Sequence, residues 1–320
     1  MKFFTEIPIQ QQTENLIDYQ SKVLLLGSCF VENIGNKFDY FKFQNLQNPF
    51  GVLFQPKAIE QLLHHAVNNK VYTEADLFCQ NEIWQTYDAH SKLSQLDKAA
   101  VLKGLNTAVL NTKQFLETAS HIVITLGTAW VYRHIASNTV VANCHKVPQK
   151  AFKKELLRSA EVEESLQTIL DIIAEVNPEA HVIFTVSPIR HTKDGFVENT
   201  RSKSHLISAI HQVLEINKSQ QIHYFPSYEI MMDELRDYRF YASDLIHPNQ
   251  VAIDYIWDKF KATWLAPTTT VLMKDVQTIQ TGLQHKPFNE TSEQHQKFLN
   301  NLNKKITAIQ KELPWVSFKY

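Results

Sequence analysis

The run Val23-Leu24-Leu25-Leu26 ends at Gly27-Ser28-Cys29-Phe30, and residues Val31 to Phe38 then alternate apolar and polar groups at helical spacing. A short, branched, uncharged run of this kind suits a strand covered on both faces of a parallel sheet, because neither side of it tolerates water. The same unit recurs: His121–Leu126 ends at Gly127, and Val182–Val186 ends at Ser187-Pro188, each after an amphipathic helical stretch. Buried strands alternating with helices call for a mainly parallel sheet with helices on both faces, and in such α/β sheets ligands bind beyond the carboxyl ends of the strands. A serine on the turn after the first strand either caps the following helix through its exposed amides or is presented at that end as a nucleophile. These residues alone leave both roles open.

Between these landmarks, residues 1 to 20 carry no pattern and read as an extended lead-in. Phe41 to Leu46 alternates with period two and reads as a second strand, followed by the turn Asn48-Pro49-Phe50-Gly51. Helices are expected over Pro56–Asn68, Asp97–Glu117, Glu161–Val176, Arg201–Asn217 and Val251–Trp264. Short strands are expected within 71–90, a hairpin from Trp130–Arg133 and Thr139–Ala142, and a last strand at Ile222–Phe225. Residues 1–266 read as one α/β domain, and 267–320 as a C-terminal helical extension whose helix spans about 291–313.

The chain has 320 residues, with 32 Lys and Arg against 33 Asp and Glu and a formal net charge of -1. That balance offers no basic field to a phosphate backbone, so nucleic acid is not an expected partner. No signal peptide or membrane-length apolar run is visible, which places the chain in the cytoplasm, away from membranes. Cys29, Cys79 and Cys144 are odd in number and far apart, which argues against a disulfide framework. Only seven glycines occur where average usage gives about twenty, so Gly27, Gly51, Gly127 and Gly195 mark sharp turns or close approaches of backbone.

A second chemical signal is Asp244-Leu245-Ile246-His247-Pro248, ahead of the last helix of the sheet. An acid three residues before a histidine can hold one imidazole nitrogen while the other faces away, which orients the ring and stabilises its protonated form. Gly27-Ser28 after the first strand and Asp-x-x-His-Pro before the last helix together resemble the first and last motif blocks of the SGNH hydrolases, the GDSL-type esterases. Gly27-Ser28-Cys29-Phe30, with Asn48-Pro49-Phe50-Gly51, Asn143-Cys144-His145-Lys146 and Ser187-Pro188-Ile189-Arg190-His191, is more closely similar to the related GSCFA family, with Val31 where the family name spells alanine. The resemblance spans roughly residues 20 to 265.

The resemblance implies a three-layer α/β/α sandwich on a five-stranded, flavodoxin-like sheet. It also implies ester hydrolysis without metal or cofactor, on a small-molecule ester such as an acylated sugar. Ser28 would be the nucleophile, His247 the general base and Asp244 the group orienting it. The backbone amides of Ser28 and Gly51 would serve the oxyanion. The superfamily's third block, Gly-x-Asn-Asp, is here Gly127-Thr128-Ala129-Trp130, and Ala129 has no side-chain donor. Asn143 is the first candidate replacement and Asn48 the second. His90, His145, Arg190 and His191 follow strands or hairpins and are candidate substrate-binding groups, with Trp130 as an aromatic floor. Two alternatives stand beside this reading: a hydrolase using Cys29, and a non-catalytic protein on the same fold that binds a carbohydrate or acyl ligand.

Overall fold

A computed structural model describes residues 5–218 and 221–318. Its centre is a five-stranded parallel sheet of β1 (Lys22–Gly27), β2 (Gln44–Gln47), β5 (His121–Leu126), β9 (His181–Val186) and β10 (Ile222–Tyr224), in the order β2-β1-β5-β9-β10. Helices α1 (Cys29–Tyr40), α2 (Pro56–Val67), α3 (Lys98–Thr118), α4 (Ser159–Val176) and α5 (Phe196–Asn217) connect them. A short turn α6 (Ser227–Glu229) follows, then α7 (Gln250–Trp264), α8 (Thr269–Gln284) and α9 (Glu293–Glu312).

Side chains of successive strand residues point to opposite faces, which sorts the sheet into two cores. Leu24, Leu26, Ile122, Ile124, Val182 and Phe184 pack under α2 to α5, while Val23, Leu25, Val123 and Ile183 pack under α1, α7 and the C-terminal helices. The three-layer α/β/α sandwich is therefore the observed architecture. Its strand order reverses between β1 and β5, and crevices at such reversals are where open α/β sheets bind ligands. Ser28 stands at that point.

Several boundaries differ from the sequence expectation. The second strand begins at Gln44, because Phe41 caps α1 and Lys42 turns with a φ of 66°. The first twenty residues are partly anchored: Ile17 and Tyr19 are buried, and Ile17 bridges Leu265. Met1–Phe4 lie outside the described residues. The expected hairpin, β6 (Trp130–His134) with β7 (Thr139–Val141), gains a third strand β8 (Phe152–Leu156). Lys153-Lys154-Glu155 masked it, since an exposed edge strand carries no apolar signal. A second hairpin, β3 (Phe78–Gln80) with β4 (Ile83–Gln85), lies within 71–90. Helix α8 was also not anticipated. Its Met273, Val276 and Ile279 join Leu302, Ile306 and Ile309 of α9 in the core under α1 and α7, so the C-terminal helices share the core of the α/β layers.

Candidate active site

The site is built on the carboxyl ends of β1, β5 and β9. Gly27 turns the chain out of β1 with a φ of +132°, and a Cβ there would meet the Thr125 carbonyl oxygen at 2.1 Å, so only glycine fits. Ser28 then caps α1, its Oγ accepting from the Phe30 amide at 3.4 Å, and its backbone N–H donates to the Thr125 carbonyl at 2.9 Å. The segment Phe50–Phe54 laces over the strand ends. Leu53 N–H donates to the Gly27 carbonyl at 2.9 Å, while the Gly127 and Thr128 amides donate to the Phe54 carbonyl at 2.8 and 3.0 Å. Ser28 is consequently 0 % exposed.

The space beside Ser28 is defined by Gly127. A Cβ at that glycine would lie 3.1 Å from the Phe54 carbonyl oxygen, 3.2 Å from Ser28 Cβ and 3.3 Å from His191 Nε2. His191 therefore stands next to the serine, its ring edge-on to Phe54 with centroids 5.7 Å apart. Its backbone N–H donates to Asn199 Oδ1 at 2.8 Å, but its Nε2 is buried with no partner. Burial, reinforced by the Lys203 ammonium, pushes its pKa down to about 4, so the ring is neutral at pH 7.

Asp244 and His247 form the expected pair. Asp244 Oδ2 meets His247 Nδ1 at 2.7 Å, and Asp244 Oδ1 accepts the amides of Ile246 and His247 at 2.9 and 3.0 Å. Those hydrogen bonds hold the carboxylate at a pKa of about 2. The turn needs Leu245 at a φ of 58°, an uncommon conformation outside glycine and asparagine. The Ile246 carbonyl accepts the Arg190 N–H at 3.3 Å, and His191 and His247 interact electrostatically, so the pair abuts the His191 loop. Among the described residues no hydrogen bond joins Ser28 to His247.

The other expected residues divide. Gly51 N–H donates to the Asn48 carbonyl at 2.7 Å, so this amide, like that of Ser28, is already engaged. Asn48 Oδ1 accepts the Gly27 N–H at 2.9 Å, and its Nδ2 is buried and unpartnered. Asn143 Oδ1 turns back to the His145 N–H at 2.8 Å, making it a turn former. Buried His145 places Nε2 on the Thr86 carbonyl at 2.6 Å and supports the 86–90 loop from beneath. His90 stands at the end of that loop, and its Cβ would be 2.5 Å from a Cβ on Gly51. Trp130 donates from Nε1 to the Glu198 carbonyl at 3.4 Å and lies under the Lys154 ammonium. Arg190 lies among the rings of Phe196, Tyr238 and Tyr241, at the edge of a cleft of about 220 Å³ lined also by Met231 and Asp237.

The GSCFA family model matches residues 22–260, and that of the GSCFA C-terminal domain matches 276–319. The chain belongs to the GSCFA family. No curated protein matches it. Solved structures similar to this GSCFA chain include an acetyl xylan esterase from the rumen bacterium Butyrivibrio proteoclasticus, at 9% identity and a TM-score of 0.39, with 88% of this chain and 66% of that one covered. Others are an acetyl esterase mutant with acetate ion (14%, 0.36) and a carbohydrate esterase family 3 protein from Talaromyces cellulolyticus (12%, 0.35), each covering 80% of this chain and 99% of its own.

In this GSCFA chain the site rests on residues that the sequence reading passed over. Asn199, Ser202 and Lys203 lie on one face of α5, three and four positions apart. Asn199 holds the His191 backbone, Ser202 Oγ accepts the Ala129 N–H at 2.7 Å, and Lys203 Nζ donates to the carbonyls of Gly127 and Ser187, both at 2.7 Å. Lys203 is fully enclosed, and burial lowers its pKa to about 7. A signal existed: the buried stripe Leu206, Ala209, Ile210 and Val213, extended one turn toward the amino end, falls on these three polar residues.

Proposed function

We propose that the chain is a serine-dependent hydrolase that removes a small acyl group from a carbohydrate or other small polar ester in the cytoplasm. The observation that carries this reading is the Asp244–His247 pair at 2.7 Å, on a loop abutting the segment that flanks Ser28. With Nδ1 held by the carboxylate, His247 Nε2 is left to accept a proton. The Ser28 Oγ–H bond breaks toward that nitrogen as Oγ bonds the ester carbonyl carbon, and the carbonyl π pair moves onto oxygen. Collapse of the intermediate expels the alcohol oxygen, which takes the proton from His247. Water repeats the cycle on the acyl-serine and releases the acid.

Three features support the finer assignments. Ser28 is enclosed and Gly127 beside it leaves no room even for a methyl without its neighbours shifting, which favours a small acyl group over a long one. The arginine and aromatic rings of the adjoining cleft suit a polar, ring-shaped leaving group. The three cysteines are unpaired, in keeping with a reducing compartment. Burial raises the Cys29 pKa, which disfavours the thiolate that a cysteine hydrolase would need.

The non-catalytic reading is favoured by one observation, the enclosure of Ser28. Labelling with a fluorophosphonate and turnover of p-nitrophenyl acetate separate the two. Ser28-dependent labelling and turnover, lost in Ser28→Ala and kept in Cys29→Ala, are expected. A wild-type protein that neither labels nor turns over acetyl esters or acetylated sugars would overturn the hydrolase in favour of the binding protein.

A further inference from the structure

We propose that His191 donates the oxyanion hydrogen bond that Ala129 cannot supply, with Asn48 Nδ2 as the second donor. The inference rests on the hydrolase reading of Ser28. It begins from a deficit. A tetrahedral intermediate on Ser28 needs donors already aimed at its oxygen. Among the groups expected to serve, the Ser28 amide is held by Thr125, the Gly51 amide by Asn48, and the Asn143 side chain turns back to His145.

Among the described residues, the buried side-chain nitrogens without a partner include Asn48 Nδ2 and, where its tautomer places the proton there, His191 Nε2. Buried polar atoms are rarely left unpaired, and those that are stand out as sites where a ligand completes the set. His191 Nε2 and Ser28 Cβ both stand against Gly127, 3.3 and 3.2 Å from where a Cβ on that glycine would lie. Asn48 is tied by its Oδ1 to the amide of Gly27, one residue before the nucleophile, and its Nδ2 on the same side-chain amide is left without a partner among the described residues. A side chain at Gly127 would crowd Ser28 and His191 alike, so the glycine lets the serine and the imidazole stand this close.

The same surroundings suit His191 to donating a hydrogen bond more than to accepting a proton. No carboxylate holds its ring, whereas Asp244 holds that of His247. The enclosed Lys203 ammonium repels a second positive charge, and Asp194 acts on the ring in the opposite sense. A neutral imidazole keeps one N–H, and neutral imidazoles do serve as electrophiles toward developing oxyanions.

The test uses p-nitrophenyl acetate turnover together with inhibition by methylboronic acid, which adds to a serine oxygen as a tetrahedral anion. His191→Leu is expected to lower kcat about 10²- to 10³-fold with KM little changed, the loss typical of one oxyanion donor, and to weaken the boronate in parallel. His191→Gln, which restores an N–H at the same reach, is expected to recover most of both. Asn48→Asp, which keeps the bond to Gly27 and removes the donor, is expected to impair both as well. If Ser28→Ala is inactive while His191→Leu retains wild-type kcat, the inference is overturned and the hydrolase stands. A His191→Gln as inactive as His191→Leu, at unchanged Tm, overturns the donor role. A wild type without Ser28-dependent turnover overturns both.

Discussion

Histidines desolvated by the fold stand at both ends of the central sheet, and they differ in one respect. At the amino end His121, His181 and His223 gather beside Trp264. His121 Nε2 meets the Asn15 carbonyl at 2.7 Å and its Nδ1 the Ser120 hydroxyl at 2.9 Å. His181 contacts Asn15 Nδ2 at 2.8 Å and His223 Nε2 at 3.1 Å. At the carboxyl end His191 Nε2 and Asn48 Nδ2 are equally buried and meet nothing. Burial pushes His121, His223 and His191 down alike, to about 4, so a shifted pKa does not distinguish a working site from a structural one. The hydrogen bonding of the rings themselves does: among the described residues both ring nitrogens of His121 and of His181 are engaged, whereas His191 Nε2 is not. The partnered histidines tie the lead-in to the sheet, although Trp264 Nε1 beside them is buried without a partner, and the histidine left with a free nitrogen stands next to the candidate nucleophile.

That contrast is broken most sharply at the exposed dyad. Asp244→Asn preserves shape but leaves His247 without a charged partner and free to take the wrong tautomer, so kcat is expected to fall on the order of 10³–10⁴-fold. Steady-state turnover measures it, and a loss under tenfold would show that Asp244 does not hold a catalytic imidazole. Lys203→Met comes next. It leaves the Gly127 and Ser187 carbonyls without their shared donor, and a destabilisation of about 1–3 kcal/mol is expected by urea unfolding. An unchanged midpoint would mean that the lysine does not hold the strand ends.

The smallest effect concerns the amino-end cluster and appears with pH. His121 stays neutral in the fold down to about 4, and an unperturbed histidine takes its proton near 6.5. Between those values the unfolded chain binds more protons, so stability falls as pH drops through that window. His121→Gln is expected to flatten the slope of unfolding free energy between pH 6.5 and 4 and to leave Ser28-dependent turnover at pH 7 unchanged. Loss of turnover would mean that the two clusters are coupled.

The sequence alone determined the parallel α/β sheet, because runs such as Val23–Leu26 and Val182–Val186 have nowhere to go but between two helical layers. It also determined the Asp244–His247 contact, since an acid and a histidine three residues apart on a turn meet through local geometry. What only the tertiary structure decided lies across long separations. Lys203 crosses 76 residues to the Gly127 carbonyl, and the Phe50–Phe54 segment encloses Ser28 from another part of the chain. Nothing local tells Asn143 from Asn48, and the apolar stripe of α5 turns Lys203 inward without saying which carbonyls it meets. Which of them faces the serine depends on how strand ends, loops and α5 close together, and packing alone settles that.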